Sequence, residues 1–267
     1  MKLPIEITEL VLQMYRRYEE ASMDRMQKVA VFDLDNTLIE GDIGEAVYAQ
    51  LFADGVPLSI SPDIYRLLLE IDRSRAYEES VRALEYISID TVIEATRKIM
   101  RSKEESLEFG GERIPLPRPN MMMKELVRLL RFLDFTTYVI SASNDVSVKI
   151  IASEWFGIPV ANAWGIKSVI QNDRLTSDLQ QPVPMGEGKV ALYRQSTNGV
   201  LPAVVATDSI LDLPLLQMCD PLGLAFIVGE NDELIRAVKE TLPFSVNVQV
   251  VPSVGLSDLH LHRNVAG

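Results

Sequence analysis

Four consecutive apolar residues, Val29-Ala30-Val31-Phe32, run directly into Asp33-Leu34-Asp35. A short apolar run without polar alternation describes a strand covered on both faces, the situation of a parallel sheet between two layers of helices. Two carboxylates separated by one residue at the end of such a strand are costly to desolvate unless a cation compensates them. Ligands of open parallel sheets bind at the carboxyl ends of the strands. This junction therefore constrains both the fold and the place where chemistry is expected.

The rest of the chain repeats the pattern. Tyr138–Ile140, Ala203–Ala206 and Leu224–Val228 are nearly as apolar, whereas Val246–Val251 alternates and reads as an edge strand. Helical periodicity separates these runs: Leu126, Val127, Leu130 and Leu133; Val146, Ile150 and Ile151; Leu234, Ile235, Val238 and Leu242, with Asn231 placed to cap the last. Strands alternating with helices through right-handed crossovers predict an α/β fold with a doubly wound, Rossmann-like parallel sheet. An N-terminal helix over Glu9–Glu20 is expected to pack on it. Residues 43–111 show no strand pattern. Ile64, Leu67, Leu68 and Ile71 fit one helix face, and Val92, Thr96, Ile99 and Met100 another. The expectation is an all-helical cap, residues 43–111, inserted after the first strand of a core formed by residues 1–42 and 112–267. Glu40-Gly41-Asp42 enters it and the proline-spaced stretch Ile114–Pro119 leaves it, which fits a hinged lid as well as a fixed subdomain. Residues 166–184 look irregular, with room for a hairpin.

Composition narrows the function. The chain of 267 residues is 47% hydrophobic and 24% charged, as in ordinary globular proteins. Its net charge of −12 argues against binding to nucleic-acid backbones or anionic membranes. A phosphate ester would have to meet locally supplied positive charge. The chain start has no basic stretch followed by an apolar one, and no apolar run reaches membrane-spanning length, so a cytoplasmic protein is expected. The one cysteine, Cys219, lies in an apolar run and reads as a buried, inert thiol.

Three further junctions carry polar groups. Ile140 is followed by Ser141-Ala142-Ser143-Asn144-Asp145 and a helix. A hydroxyl beside helix N-terminal amides suits a phosphate oxygen, and capping by Ser143 or Asn144 explains the same pattern. Gly186-Glu187-Gly188-Lys189 opens another helix, whose lysine reads either as a cleft cation or as solvated surface. Ala206 is followed by Thr207-Asp208-Ser209-Ile210-Leu211-Asp212, a second acidic strand end.

In this order the set resembles the haloacid dehalogenase superfamily, and within it the phosphoserine-phosphatase-like branch. The first family motif, DxDxT with a following apolar residue, is matched by Asp33, Asp35, Thr37 and Leu38. The second is matched by Ser141, the third by Lys189, and the fourth by Asp208 and Asp212. The chain departs in having Thr207 where glycine usually precedes the fourth motif, and Leu211 where phosphoserine phosphatases carry Asn. The resemblance implies a phosphatase of small-molecule phosphate monoesters that is dependent on Mg²⁺. Asp33 would be the nucleophile, Asp35 the general acid and base, and Lys189 a catalytic cation. Ser141 and Ala142 would hold phosphate, while Asp33, Asp35 and Asp208 would bind the metal. Thr37 and Asp212 would support the site.

The leaving group is less constrained. Asp42 lies where that branch places an acid facing a substrate amine, which keeps phosphocholine and phosphoethanolamine open beside phosphoserine-like esters; Asp42 also reads as a helix N-cap. Arg66, Arg73, Arg75 and Arg82 are candidate carboxylate binders or solvated charges. His260 and His262 form a His-x-His pair with metal-ligand spacing but no third ligand nearby in sequence, and the tail reading is preferred. A metal-independent dehalogenase would not need Asp35, Asp208 and Asp212, and a non-catalytic protein of the same fold would not need the four motifs intact.

Overall fold

The computed structural model describes residues 3–20, 28–243 and 245–253; His260 and His262 lie outside them. The chain runs α1 (Ile5–Glu20), β1 (Val29–Phe32), the short β2 (Ile39–Glu40), α2 (Ile43–Ala53), α3 (Pro62–Ile71), α4 (Arg73–Arg82) and α5 (Ile89–Arg101). Next come β3 (Ser106–Phe109), β4 (Glu112–Pro115), the short β5 (Arg118–Pro119), α6 (Met121–Phe132), β6 (Thr136–Asn144), α7 (Asp145–Phe156) and β7 (Ala163–Ile166). The remainder is β8 (Ser168–Gln171), β9 (Arg174–Leu179), α8 (Glu187–Thr197), β10 (Val204–Thr207), α9 (Leu213–Leu216), β11 (Leu224–Val228), α10 (Asp232–Thr241) and β12 (Asn247–Val251).

These elements form two compact units. One comprises Met1–Glu40, Pro119–Ile140 and Gly186–Gly267; the other comprises Gly41–Arg118 and Ser141–Met185. The central parallel sheet has the order β12-β11-β10-β1-β6-β7. From β1 the chain builds outward through β6 and β7, then returns to add β10, β11 and β12 on the other side. The order reverses between β1 and β10, the switch point of a doubly wound sheet, where crevices for ligands form. Phe32 pairs with Ala206 and with Val139, so Asp33 leaves the sheet beside the end of β10. Burial explains the apolar runs: all residues of β1, β10 and β11 are buried. Helix α1 buries Ile7, Val11, Met14 and Tyr18. The edge position of β12 agrees with its weaker apolar pattern.

The other edge strand, β7, escaped the sequence pattern because Gly165 interrupts it. That glycine is required by contact: a Cβ there would lie 2.5 Å from the Ser143 carbonyl oxygen and 2.7 Å from the Asp145 Cα.

The helical reading of residues 43–111 is corrected at its end. Helices α2 to α5 are followed by an antiparallel hairpin, β3 with β4, in which Phe109 pairs with Glu112 across the two-residue loop Gly110-Gly111. Both glycines have positive φ, 55° and 80°, as a primed hairpin turn requires. Leu107 pairs with Ile114 on the strand pair. Residues 168–179 hold a second such hairpin, with Asn172 and Asp173 at positive φ.

The face of α3 is corrected too. Ile64, Leu67 and Ile71 are exposed. The inward face is Tyr65 with the half-buried Leu68 and Leu69, because Tyr65 joins an aromatic cluster with Tyr48 and Phe109. The face expected for α5 is buried at Val92, Thr96 and Ile99, and Thr96 Oγ1 and the Ser147 hydroxyl of α7 lie 2.7 Å apart as hydrogen-bond partners.

Candidate active site

Asp33 continues the extended backbone of β1, with φ −69° and ψ 162°. Its amide donates to the Ala206 carbonyl at 2.9 Å, which ties the strand end to β10. The turn that follows brings Asn36 to φ 54° and returns Thr37, fully buried, to the carboxylates. Thr37 Oγ1 lies 3.2 Å from Asp33 Oδ2 and 3.2 Å from Asp208 Oδ1. One hydroxyl hydrogen thus faces two acidic acceptors. The Asp208 backbone carbonyl accepts a 2.9 Å bond from Asn231 Nδ2, while Asn231 Oδ1 caps α10 at the Leu234 amide. The capping role of Asn231 was legible in sequence; its hold on Asp208 was not, because the two are brought together only by neighbouring strands.

Lys189 sits in the first turn of α8, where the helix dipole disfavours a cation. Gly186, at φ 50° and ψ −123°, starts that helix in a conformation that side chains rarely adopt. Two carboxylates offset the dipole: Lys189 Nζ donates to Asp33 Oδ1 at 2.6 Å and to Asp212 Oδ2 at 2.7 Å. All three side chains are buried, with Lys189 only 3% exposed. Of the alternatives open for Lys189, the structure takes the buried cation, paired with Asp33 and Asp212, and leaves aside the solvated lysine.

The electrostatics follow from burial. Burial pushes the Asp33 carboxyl up to about 7, with Asp212 and Asp35 adding to the shift and Lys189 opposing it. Burial also pushes Asp208 up to about 7, reinforced by Asp33 and Asp212. Burial works against the Lys189 ammonium, yet Asp212 and Asp33 outweigh it and raise its pKa. Asp33 and Asp212 thus share one buried lysine, whose charge also acts on Asp208.

The residues present fit a divalent cation. Among the described residues, no group of three or more His, Cys, Asp or Glu side chains forms a ready-made metal cage. Mg²⁺ seldom needs one, since it keeps waters and takes one or two carboxylates plus substrate oxygens. Asp33 and Asp208 are hard oxygen donors that share a single hydroxyl proton and are short of positive charge. Asp35, half-buried between them in sequence, has extended backbone at ψ 133°.

Asp42, Ser141, Ala142 and the four candidate arginines belong to the second unit. Asp42 caps α2, its Oδ1 accepting from the Glu45 amide at 2.8 Å. Ser141 is fully buried and its Oγ accepts from the Ser143 amide at 2.9 Å. Ala142 is half-buried, and the cap of α7 is Asn144, which accepts from the Ser147 amide at 2.9 Å. Arg66 is engaged by Glu112 at 2.7 Å and by the Phe109 carbonyl, and Arg82 by the Ser177 carbonyl at 2.6 Å. Arg73 and Arg75 are exposed. Cys219 is buried, and burial pushes its thiol up, as an inert cysteine requires.

This ordered set of acids and lysine at a sheet switch point agrees with what comparison shows. A family model described as haloacid dehalogenase-like hydrolase matches residues 30–217, well over half of the chain. The chain belongs to the haloacid dehalogenase-like hydrolases. No curated protein matches it. Among solved structures, a conserved functionally unknown protein from Anaerococcus prevotii DSM 20548 is similar at 16% identity and a TM-score of 0.71, with 98% of each chain covered. A protein of unknown function from Bordetella pertussis Tohama I is similar at 18% identity and a TM-score of 0.63, covering 85% of this chain and 99% of that one. A phospho-aspartyl intermediate analogue of phosphoserine phosphatase follows at 15% identity and a TM-score of 0.55, covering 85% and 93%. At these identities the likeness is one of fold. No helix among the described residues is long and apolar enough to cross a membrane.

Proposed function

We propose that this hydrolase cleaves a small-molecule phosphate monoester through an aspartyl phosphate formed on Asp33. The observation that carries the reading is the buried ammonium of Lys189, shared by Asp33 and Asp212 at 2.6 and 2.7 Å, with a third acid, Asp208, in the same field. A carboxylate nucleophile needs a neighbouring cation to meet an anionic ester.

In the first step a bond forms between an Asp33 carboxylate oxygen and phosphorus while the ester P–O bond breaks. Asp35 donates its proton to the departing alkoxide. In the second step Asp35 takes a proton from water, the water oxygen attacks phosphorus, and the bond to Asp33 breaks to release phosphate. Lys189 has three donor hydrogens, of which the two carboxylates use two. The remaining one is available to a phosphoryl oxygen. Asp212 keeps the ammonium from collapsing onto the nucleophile, and Thr37 orients Asp33. Mg²⁺, held by Asp33, Asp208 and the Asp35 carbonyl, would supply the positive charge that lets a phosphate dianion approach these acids. Ser141 and the Ala142 amide are assigned to the phosphate oxygens, and residues 43–111 to a cap that selects the leaving group, with phosphoserine-like esters as the first class to test.

The test is a panel of phosphate monoesters, including phosphoserine, phosphocholine and phosphoethanolamine, assayed for phosphate release with magnesium chloride. Turnover is expected for the wild type and absent in Asp33→Asn. Turnover that persists in Asp33→Asn, or that survives EDTA, overturns the mechanism.

A further inference from the structure

We infer that Thr207, which stands where the resemblance leads one to expect glycine, is a positioning residue for the Lys189 ammonium, acting through Asp212. The inference rests on the reading of this site as the catalytic one.

The geometry is specific. Thr207 ends β10 with its side chain fully buried. Its Oγ1 accepts from the Ser209 amide at 3.2 Å and donates to Asp212 Oδ2 at 2.8 Å. The amide has taken a lone pair of the hydroxyl, and an ionised carboxylate has no hydrogen to offer. The hydroxyl hydrogen is thereby directed at Asp212. The same oxygen, Asp212 Oδ2, receives Lys189 Nζ at 2.7 Å. Two donors from different elements, the end of β10 and the start of α8, converge on one carboxylate oxygen.

That convergence matters because Lys189 also touches Asp33 at 2.6 Å. An ammonium between two carboxylates sits where their pulls balance. If Asp212 loses one of its two anchors it can rotate, and the ammonium then follows Asp212 away or settles on Asp33 and masks the nucleophile. Either movement misplaces the charge that meets the phosphoryl oxygens. A glycine at position 207 has no atom for this task and leaves room that a water can fill. The methyl groups of valine fill the room and offer no hydrogen.

Three substitutions separate these cases. Thr207→Val is expected to lower kcat about tenfold while KM stays within about threefold, because the ammonium acts mainly on charge developed in the transition state. Thr207→Ser should keep about half of the activity or more, and Thr207→Gly should fall between the two. The effect should also run through Lys189: in urea unfolding, Thr207→Val and Lys189→Met combined should depart from additivity by about threefold or more in the unfolding constant, as expected for members of one network. Serine and valine variants of equal activity, or unfolding effects that add, overturn the inference. If the wild type hydrolyses no phosphate ester while the unfolding cycle still shows coupling, the positioning role stands and the phosphatase reading falls.

Discussion

Replacing Lys189 by methionine removes the shared cation and leaves the packing volume nearly unchanged. The ammonium lies 2.6 Å from Asp33 Oδ1 and 2.7 Å from Asp212 Oδ2, with all three side chains buried. At an effective dielectric near 20, each such contact is worth on the order of 6 kcal/mol before desolvation is counted. Desolvation of the lysine, no longer required in the variant, cancels much of that. Removing one partner of a buried pair costs about 3–5 kcal/mol in practice. For a chain of this size the loss corresponds to a fall of about 6–20 °C in Tm.

The sign of the pH dependence follows from Asp33. Its carboxyl, already pushed up to about 7 against an ordinary 3.8, moves higher once the ammonium is gone. A folded-state pKa above the unfolded one means that stability is lost as pH rises through the folded value and regained toward acid. The deficit of Lys189→Met should therefore be larger at about pH 8 than at about pH 5, where the folded acid carries its proton in both proteins. Urea midpoints of both proteins in EDTA at the two pH values measure this. A deficit below about 1 kcal/mol at the higher pH, or one that does not change with pH, would refute the shared-cation account.

Metal and protons should compete for the same acids. Asp33 and Asp208 are both raised to about 7, so metal-free stability should decline as pH rises from about 4 through about 7 and then level off. Excess magnesium chloride should therefore raise Tm more at about pH 8 than at about pH 5, and an equal shift at both would contradict the assignment of these two carboxylates to the metal. Gly165→Ala should destabilise by about 1–3 kcal/mol, because its Cβ would press within 2.7 Å of backbone atoms of Ser143 and Asp145. An unchanged urea midpoint for that variant would mean that β7 can shift at no cost.

Much of this molecule could be read before any coordinates. The apolar runs at residues 29–32 and 224–228 became β1 and β11 with those bounds, because strands buried on both faces leave no room for polar residues. The acid pairs at the ends of β1 and β10 were visible for the same reason: a charge at the end of such a strand stands out. The hairpin of β3 and β4 was missed although Gly110-Gly111, flanked by alternation, is a hairpin signal; the surrounding helical periodicity outweighed it. For α3, Ile64, Leu67 and Ile71 lie at helical spacing, yet they form the exposed side. The pattern cannot show that aromatic residues from α2 and β3 would claim Tyr65 on the opposite face.

By itself, then, the sequence determined the fully buried strands β1, β10 and β11, where their polar ends fall and which acids and lysine are available, since these depend on local periodicity and on the cost of desolvation. Only the tertiary structure decided that Lys189 is shared between Asp33 and Asp212, that Thr37 serves Asp33 and Asp208, and that Thr207 anchors Asp212. Those partners are set by strand order at the switch point. Hydrogen bonds act over about 3 Å, a distance that chain spacing does not encode.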